Sequence, residues 1–337
     1  MPGTGYCRQN DLASYDPGMP MDPMLQMMTD NARSTGGGAG LRAGTVEQAR
    51  AGYDAMGAAG GESPELGSVE DRTIPRPSGG SGGSSPAGDI PIRIYTPIGE
   101  GPFPVVVFYH GGGFTIGSLT SHDPVARRIC AETEAVVVAV DYRLAPEHKF
   151  PAAVEDAFAA LQWVGDNAAS IGGDPSRIAV TGDSAGGNLS AVVCLLARDA
   201  GGPAIRFQAL VYPTTDARAD YPSVQENGDS IFLSADSMAW FYEHYSRGDE
   251  DKLDWRASPI LAPDLSNLPP ALIITAEYDT LRDEGEAYGE ALRAAGNDVT
   301  IRRYDGMTHV FFQLWGVLEK AKEAMTETTT ALRKALV

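Results

Sequence analysis

Six short runs, most of them near-continuously apolar, recur along the chain: PVVVFY at 104–109, AVVVAV at 135–140, IAVT at 178–181, FQALVY at 207–212, ALIITA at 271–276 and VTIRRY at 299–304. Runs this short and this rich in β-branched residues do not suit helices. They lack the alternation of a strand wetted on one face, and read instead as parallel strands covered on both faces. Helical patterns lie among them at 124–134, 152–167, 185–200, 284–295 and 312–336. Strand–helix alternation of this kind predicts a parallel sheet with helices on both sides. Upstream, VEDRTI and IPIRIY alternate like strands, and PRPSGGSGGSSPAGD joins them as a flexible connector of an antiparallel pair. Its glycines do not form a phosphate loop, because no GKS or GKT is present and no helix follows.

Two stretches fall outside this rhythm. Residues 1–66 are rich in Gly, Ala and Met, with Met19, Met21, Met24, Met27 and Met28 clustered. Within them, 45–56 reads as a short helix with Thr45 as N-cap and Gln48 three residues on. Residues 214–263 separate two strands by far more than a crossover helix needs. They contain SADSMAWFYEHYSRG, a helix pattern with Ser234 as N-cap and an aromatic stripe of Trp240, Phe241 and Tyr245. The expected division is an N-terminal cap segment at 1–66, a catalytic core at 67–213 and 264–337, and a second cap segment at 214–263.

The formal net charge of −19 disfavours nucleic acid and anionic membranes as partners. No run of eighteen apolar residues occurs, so no membrane span is expected. The N-terminus lacks the pattern of a secretory signal, and the simplest expected address is the cytoplasm. Cys7, Cys130 and Cys194 are odd in number, widely separated and without metal-type spacing. Cys130 and Cys194 sit in apolar helical patterns and read as small core residues.

The run IAVTGDSAGGNLSAVVCLLA carries the first sign of chemistry. A buried strand ends, a serine follows, and an apolar helix begins at Ala185. Gly182 and Gly186 flank Ser184 two residues before and after. A nucleophile lifted above a sheet needs a sharp strand–turn–helix, and the serine is then forced into a strained backbone conformation. Glycines at those positions remove the side chains that would clash, and the helix start aims its free N–H groups toward the hydroxyl. The alternative is a glycine-rich turn with a capping serine.

FYHGGGF, at 108–114, follows the strand PVVVFY. Consecutive glycines let the backbone turn N–H groups into a cavity, and a tetrahedral oxyanion needs two or three such donors. Gly111, Gly112 and the N–H of Ala185 are the expected donors. A plain loop is the bland alternative, and the G-x-G-x-x-G of a dinucleotide site is not cleanly met.

A serine hydroxyl needs a base. Among His110, His122, His148, His244 and His309, only His309 follows the last strand, in DGMTHVFF. His110 reads as a loop-fixing residue. The acid should stand between Ser184 and His309, just past a strand. Asp279, in ALIITAEYDTLRDEG, is preferred, with Glu277 and Asp283 as competitors. Asp283 reads better as a helix N-cap.

Taken together, HGGGF, DYRLAPEHKFPAA, GGDPSRIAVTGDSAGGNL, YDTLRDEG and GMTHVFF, in this order, closely resemble the bacterial hormone-sensitive-lipase-like (family IV) esterases. The resemblance covers nearly the whole chain from about Ser68, and GDSAGG places it in the subgroup with Asp183 before the serine. It implies an α/β-hydrolase fold, with an eight-stranded mostly parallel sheet flanked by helices and a helical cap. It assigns Ser184, Asp279 and His309 as nucleophile, acid and base, and Gly111, Gly112 and Ala185 as the oxyanion hole. It also implies activity on short acyl esters as a carboxylesterase without cofactor or metal, and a possible homodimer paired through the strand at 299–304. Amidase or acyltransferase activity shares this machinery, and a non-catalytic small-ligand receptor shares the fold. Arg143, Glu147 and Asp156 in and after DYRLAPEHKFPAA are expected to tie loops beneath the active site. Phe114, Trp240, Phe241 and the methionines are candidate pocket residues.

Overall fold

In the computed structural model, residues 20–35, 44–57, 61, 63–76 and 88–337 are described. Cys7, Met19 and nearly all of the glycine-rich connector lie outside them. Eight strands form one sheet in the order β1-β2-β4-β3-β5-β6-β7-β8. They are β1 (Ser68–Pro75), β2 (Asp89–Thr96), β3 (Phe103–Tyr109), β4 (Val136–Val140), β5 (Gly173–Asp183), β6 (Ile205–Val211), β7 (Ala271–Tyr278) and β8 (Val299–Thr308). β2 runs antiparallel to both neighbours, and every other pairing is parallel. The antiparallel pair and the parallel sheet are those the sequence pattern predicts.

The unbroken apolar strands follow from coverage on both faces. In β3, Val105, Val107 and Tyr109 enter one core, while Val106 and Phe108 enter the other. In β4, Val136, Val138 and Val140 face the first core, and Val137 and Ala139 the second. A strand's period of two therefore fills both layers. The first core is closed by α4 (Ala152–Asn167), α5 (Ala185–Ala200) and α8 (Arg282–Ala294), the second by α3 (Asp123–Thr133) and α9 (Glu319–Leu336). Cys130 and Cys194 are buried thiols in these layers.

Two groups of elements lie over the C-terminal ends of the strands. The first comprises α1 (Pro23–Ser34) and α2 (Val46–Gly57), the second α6 (Pro222–Glu226) and α7 (Ala235–Tyr245). Helix α1 was not apparent from the methionine cluster. Its start signal is nonetheless local: Asp22 accepts the N–H of Met24 at 2.9 Å, and Pro23 takes the first turn. In α2 the capping box forms as expected, with Gln48 N–H donating to Thr45 Oγ1 at 3.3 Å and Thr45 N–H to Gln48 Oε1 at 2.9 Å. Ser234 caps α7 through the N–H of Ser237. Arg33 on α1 meets Asp229, in the connection between α6 and α7, at 2.9 Å. Among the described residues no helix is long and apolar enough to cross a membrane.

Candidate active site

Ser184 sits between β5 and α5 with φ 54° and ψ −118°. This is a left-handed φ for a residue with a side chain, and it costs about 1–3 kcal/mol. Surrounding bonds hold it there: its N–H donates to Val211 O at 2.8 Å, and its carbonyl accepts from Asn188 and Thr214. A side chain at Gly186 would overlap the Tyr109 carbonyl, so the elbow closes only with glycine there.

The loop after β7 carries Asp279, and the turn after β8 carries His309. His309 Nε2 lies 3.0 Å from Ser184 Oγ, and His309 Nδ1 lies 2.7 Å from Asp279 Oδ2. All three side chains are buried. The second Asp279 oxygen accepts the N–H of Leu281 at 2.9 Å, which fixes the carboxylate plane. Residues 125 and 30 positions apart thus form one hydrogen-bonded line. The competing acids point elsewhere: Glu277 accepts from Gly306 N–H at 2.6 Å, and Asp283 from Ser223 N–H at 2.8 Å. Asp283 is not the N-cap of its helix, because α8 already begins at Arg282.

The glycine loop differs from expectation in one residue. Gly111 N–H donates to Asp183 Oδ1 at 3.0 Å, so it is not free to face an oxyanion. Gly112 and Gly113 line the cavity beside Ser184 and His309, and among the described residues their N–H groups have no partner. The unpartnered N–H groups of the glycine loop are therefore those of Gly112 and Gly113, one residue on from the expected Gly111 and Gly112. Gly113 has φ 56°, and any side chain there would strike the Phe241 ring.

Asp183 is the hub that holds this loop. Besides Gly111 it meets His122 Nε2 at 3.2 Å and accepts from Gln313 Nε2 at 3.1 Å. Burial pushes its carboxyl up, but His122 and the Gln313 bond outweigh that, and the net shift is downward. His110 stacks on Tyr142 with centroids 4.3 Å apart, and its Nδ1 meets Gly111 O at 2.7 Å. Burial and the neighbouring His122 hold its imidazole neutral, lowered to about 3. It is a loop-fixing residue, as its position in HGGGF suggested.

Above Ser184 is a cavity of about 620 Å³, lined mainly by apolar side chains. Phe114 and Phe241 line it as expected, but Trp240 does not. Ser237, Met238, Phe241, Tyr242 and Tyr245 are the lining residues of α7, and the last four form the i, i+3, i+4, i+7 face of the helix. Trp240 lies off that face, buried against His244 with ring centroids 4.2 Å apart. The methionine cluster is also displaced. Met21 and Met28 pack on the second core, Met24 and Met27 are exposed, and Met56 and Met238 line the cavity instead.

Behind the site, Arg143 and Arg76 both pair with the fully buried Asp156, through bonds of 2.9 and 2.7 Å. Glu147 belongs to a different tie, with Arg50 of α2 at 2.7 Å. A further residue escaped sequence reasoning altogether. Glu284, on the first turn of α8, is fully buried and accepts the N–H groups of Thr215 at 2.7 Å and Asp216 at 3.3 Å. Burial raises its carboxyl to about 8, against the lowering effect of those bonds. It fastens the start of residues 214–263 to the helix that follows Asp279.

A strained serine elbow, an aligned imidazole and carboxylate, and unpaired glycine N–H groups on this sheet define an α/β-hydrolase. The chain matches the family described by that fold over residues 106–313, and belongs to it, among the hormone-sensitive-lipase-like esterases that its motifs resemble. It is similar to the carboxylesterase NlhH of Mycobacterium tuberculosis, with 46% identity over 94% of this chain and 96% of that protein. It is 39% identical to an ethyl acetate hydrolase of Pseudomonas putida, over 73% of this chain and 79% of the relative. Among solved structures it resembles a hyperthermophilic esterase from the archaeon Pyrobaculum calidifontis, with a TM-score of 0.85 and 42% identity over 94% of this chain and 99% of that one.

Proposed function

We propose that this protein is a serine carboxylesterase that hydrolyses short-chain acyl esters through an acyl-enzyme intermediate. The observation that carries this is the hydrogen-bonded line Ser184–His309–Asp279, opening on an apolar cavity. Ser184 Oγ attacks the ester carbonyl while His309 Nε2 takes its proton. Asp279 holds the Nδ1–H tautomer and stabilises the imidazolium. The N–H groups of Gly112, Gly113 and Ala185 receive the oxyanion. His309 returns the proton to the departing alcohol, then takes a proton from the water that attacks the acyl carbonyl and gives it to Ser184 Oγ as the acyl–oxygen bond breaks and the acid leaves.

Residues 1–66 and 214–263 act as the cap, with the remaining chain as catalytic core. The cavity's apolar and aromatic walls support an acyl ester as substrate, and the similarity to an ethyl acetate hydrolase supports short acyl chains. The outer edge of β8, the last strand of the sheet, is the proposed contact of a homodimer, and light scattering reads the mass directly. The cytoplasm is the proposed address, in keeping with the unpaired buried thiols Cys130 and Cys194.

The test is hydrolysis of p-nitrophenyl esters from acetate to palmitate, with matched anilides. Turnover is expected on the short esters, little on the anilides, and none with Ser184→Ala beyond the small residue left by binding alone. A Ser184→Ala variant with near-normal rate removes the mechanism.

A further inference from the structure

Helix α2 does more than wall the cavity. Tyr53 and Met56 line it, but three polar side chains of α2 reach beyond. Arg50 Nε donates to Thr115 O at 2.9 Å, and Arg50 Nη2 donates to Ala145 O at 2.9 Å. Its two terminal nitrogens also grip Glu147, at 2.8 and 2.7 Å. Tyr53 Oη accepts from Gln313 Nε2 at 2.7 Å, and Gln313 reaches Asp183. Asp54 Oδ1 accepts the Ser118 hydroxyl at 2.6 Å. Positions 50, 53 and 54 share one helix face, which is laid against the glycine loop and the turn after His309.

Thr115 is the informative acceptor. Its own N–H donates to Gly112 O at 3.0 Å, as does that of Ile116 at 2.9 Å, closing the tight turn that carries Gly112 and Gly113. Ala145 N–H donates to Phe114 O at 2.8 Å, so the two loops that Arg50 bridges are already paired. Glycine N–H groups have no side chain of their own to hold their direction. An oxyanion donor, however, is effective only when aimed at the position where charge develops. The guanidinium fork can satisfy two carbonyls and a carboxylate at once, which a lysine ammonium on a single point cannot match.

We propose that Arg50 is a positioning residue for the oxyanion hole, coupling the seating of cap helix α2 to the direction of the Gly112 and Gly113 N–H groups. The proposal rests on the oxyanion-hole assignment made above. It places a transition-state requirement on a residue of the N-terminal cap, with no contact to substrate.

The experiment uses the full chain carrying Arg50→Ala, Arg50→Lys or Glu147→Gln, beside wild type and Ser184→Ala. Steady-state kcat and KM on p-nitrophenyl butyrate are measured separately, together with inhibition by an alkyl trifluoromethyl ketone, whose serine adduct carries the oxyanion, and the thermal midpoint. Arg50→Ala is expected to lower kcat about 10–100-fold, less than the full loss of one donor, with KM changed less than about threefold. Ketone affinity should fall in proportion to kcat/KM. Arg50→Lys should recover part of kcat, and Glu147→Gln should stay near wild type because both carbonyl bonds remain. If Arg50→Ala does not fold, Arg50→Lys decides by the same split. A kcat within twofold of wild type, or a loss confined to KM, overturns the proposal and leaves Arg50 as cap adhesive. Turnover by Ser184→Ala would instead overturn the underlying esterase mechanism, whatever the Arg50 variants do.

Discussion

Replacing Glu284 by glutamine should reverse its effect on stability across a narrow pH window. The carboxyl is fully buried and raised from 4.5 to about 8. Below pH 4.5 it is protonated in both folded and unfolded chains and contributes no pH dependence. Between pH 4.5 and 8 the unfolded chain ionises first, so the folded state is penalised progressively as pH rises. At about 1.36 kcal/mol per pH unit, the penalty reaches about 3 kcal/mol at pH 7 and about 4 kcal/mol at pH 8. Glutamine keeps an acceptor for the Thr215 and Asp216 N–H groups and does not titrate. Its amide would put two N–H donors where the protonated carboxyl puts one O–H, at Oε2, which has no hydrogen-bond partner among the described residues, and the extra unpaired donor costs about 1–3 kcal/mol. Glu284→Gln should therefore be less stable than wild type near pH 4.5 and more stable at pH 8, with the curves crossing between about pH 5 and 7. Urea unfolding followed by circular dichroism, at pH intervals from 4.5 to 8.5, gives both curves. Subtracting wild type from variant cancels the titration of other acids. A difference that stays flat across that range would refute the account of Glu284 as a carboxyl kept neutral by burial.

Two other substitutions probe the site. Asp279→Asn should leave the geometry nearly intact but lower kcat about 10³–10⁴-fold, since the amide no longer enforces the Nδ1–H tautomer of His309; stopped assays on p-nitrophenyl butyrate read this, and a loss under tenfold would place the acid elsewhere. Gly113→Ala adds a side chain against Phe241 at a positive φ, and should cost kcat about 100-fold or more, with KM the lesser change. A near-normal kcat would return the donor role to other N–H groups.

The elements legible in the sequence are those written locally. The strands announced themselves by apolar runs, and the elbow by a serine between glycines at a strand–helix junction. His309 and Asp279 followed from their places after the last strands, once the order of the parallel units was accepted. Capping by Thr45 and Ser234 was equally local. Even α1, which was overlooked, had its Asp22–Pro23 start signal in plain view behind the methionines.

What the chain's order of residues determined alone was the layered sheet and the chemical identity of the reacting groups, because both depend on periodicity and residue type over a few neighbours. Which glycine N–H faces the cavity was decided in space. Gly111 and Gly112 look alike in HGGGF, and only the approach of Asp183 from another strand occupies the first. The same holds for Trp240 against Phe241: adjacent residues point about 100° apart on a helix, and the docking of α7 selects the face. Arg50 finding Glu147 across 97 residues, and Glu284 becoming sealed under the start of residues 214–263, are likewise products of packing. Burial, hydrogen-bond direction and long-range pairing are properties of three-dimensional surroundings, and no local pattern encodes which neighbour will arrive.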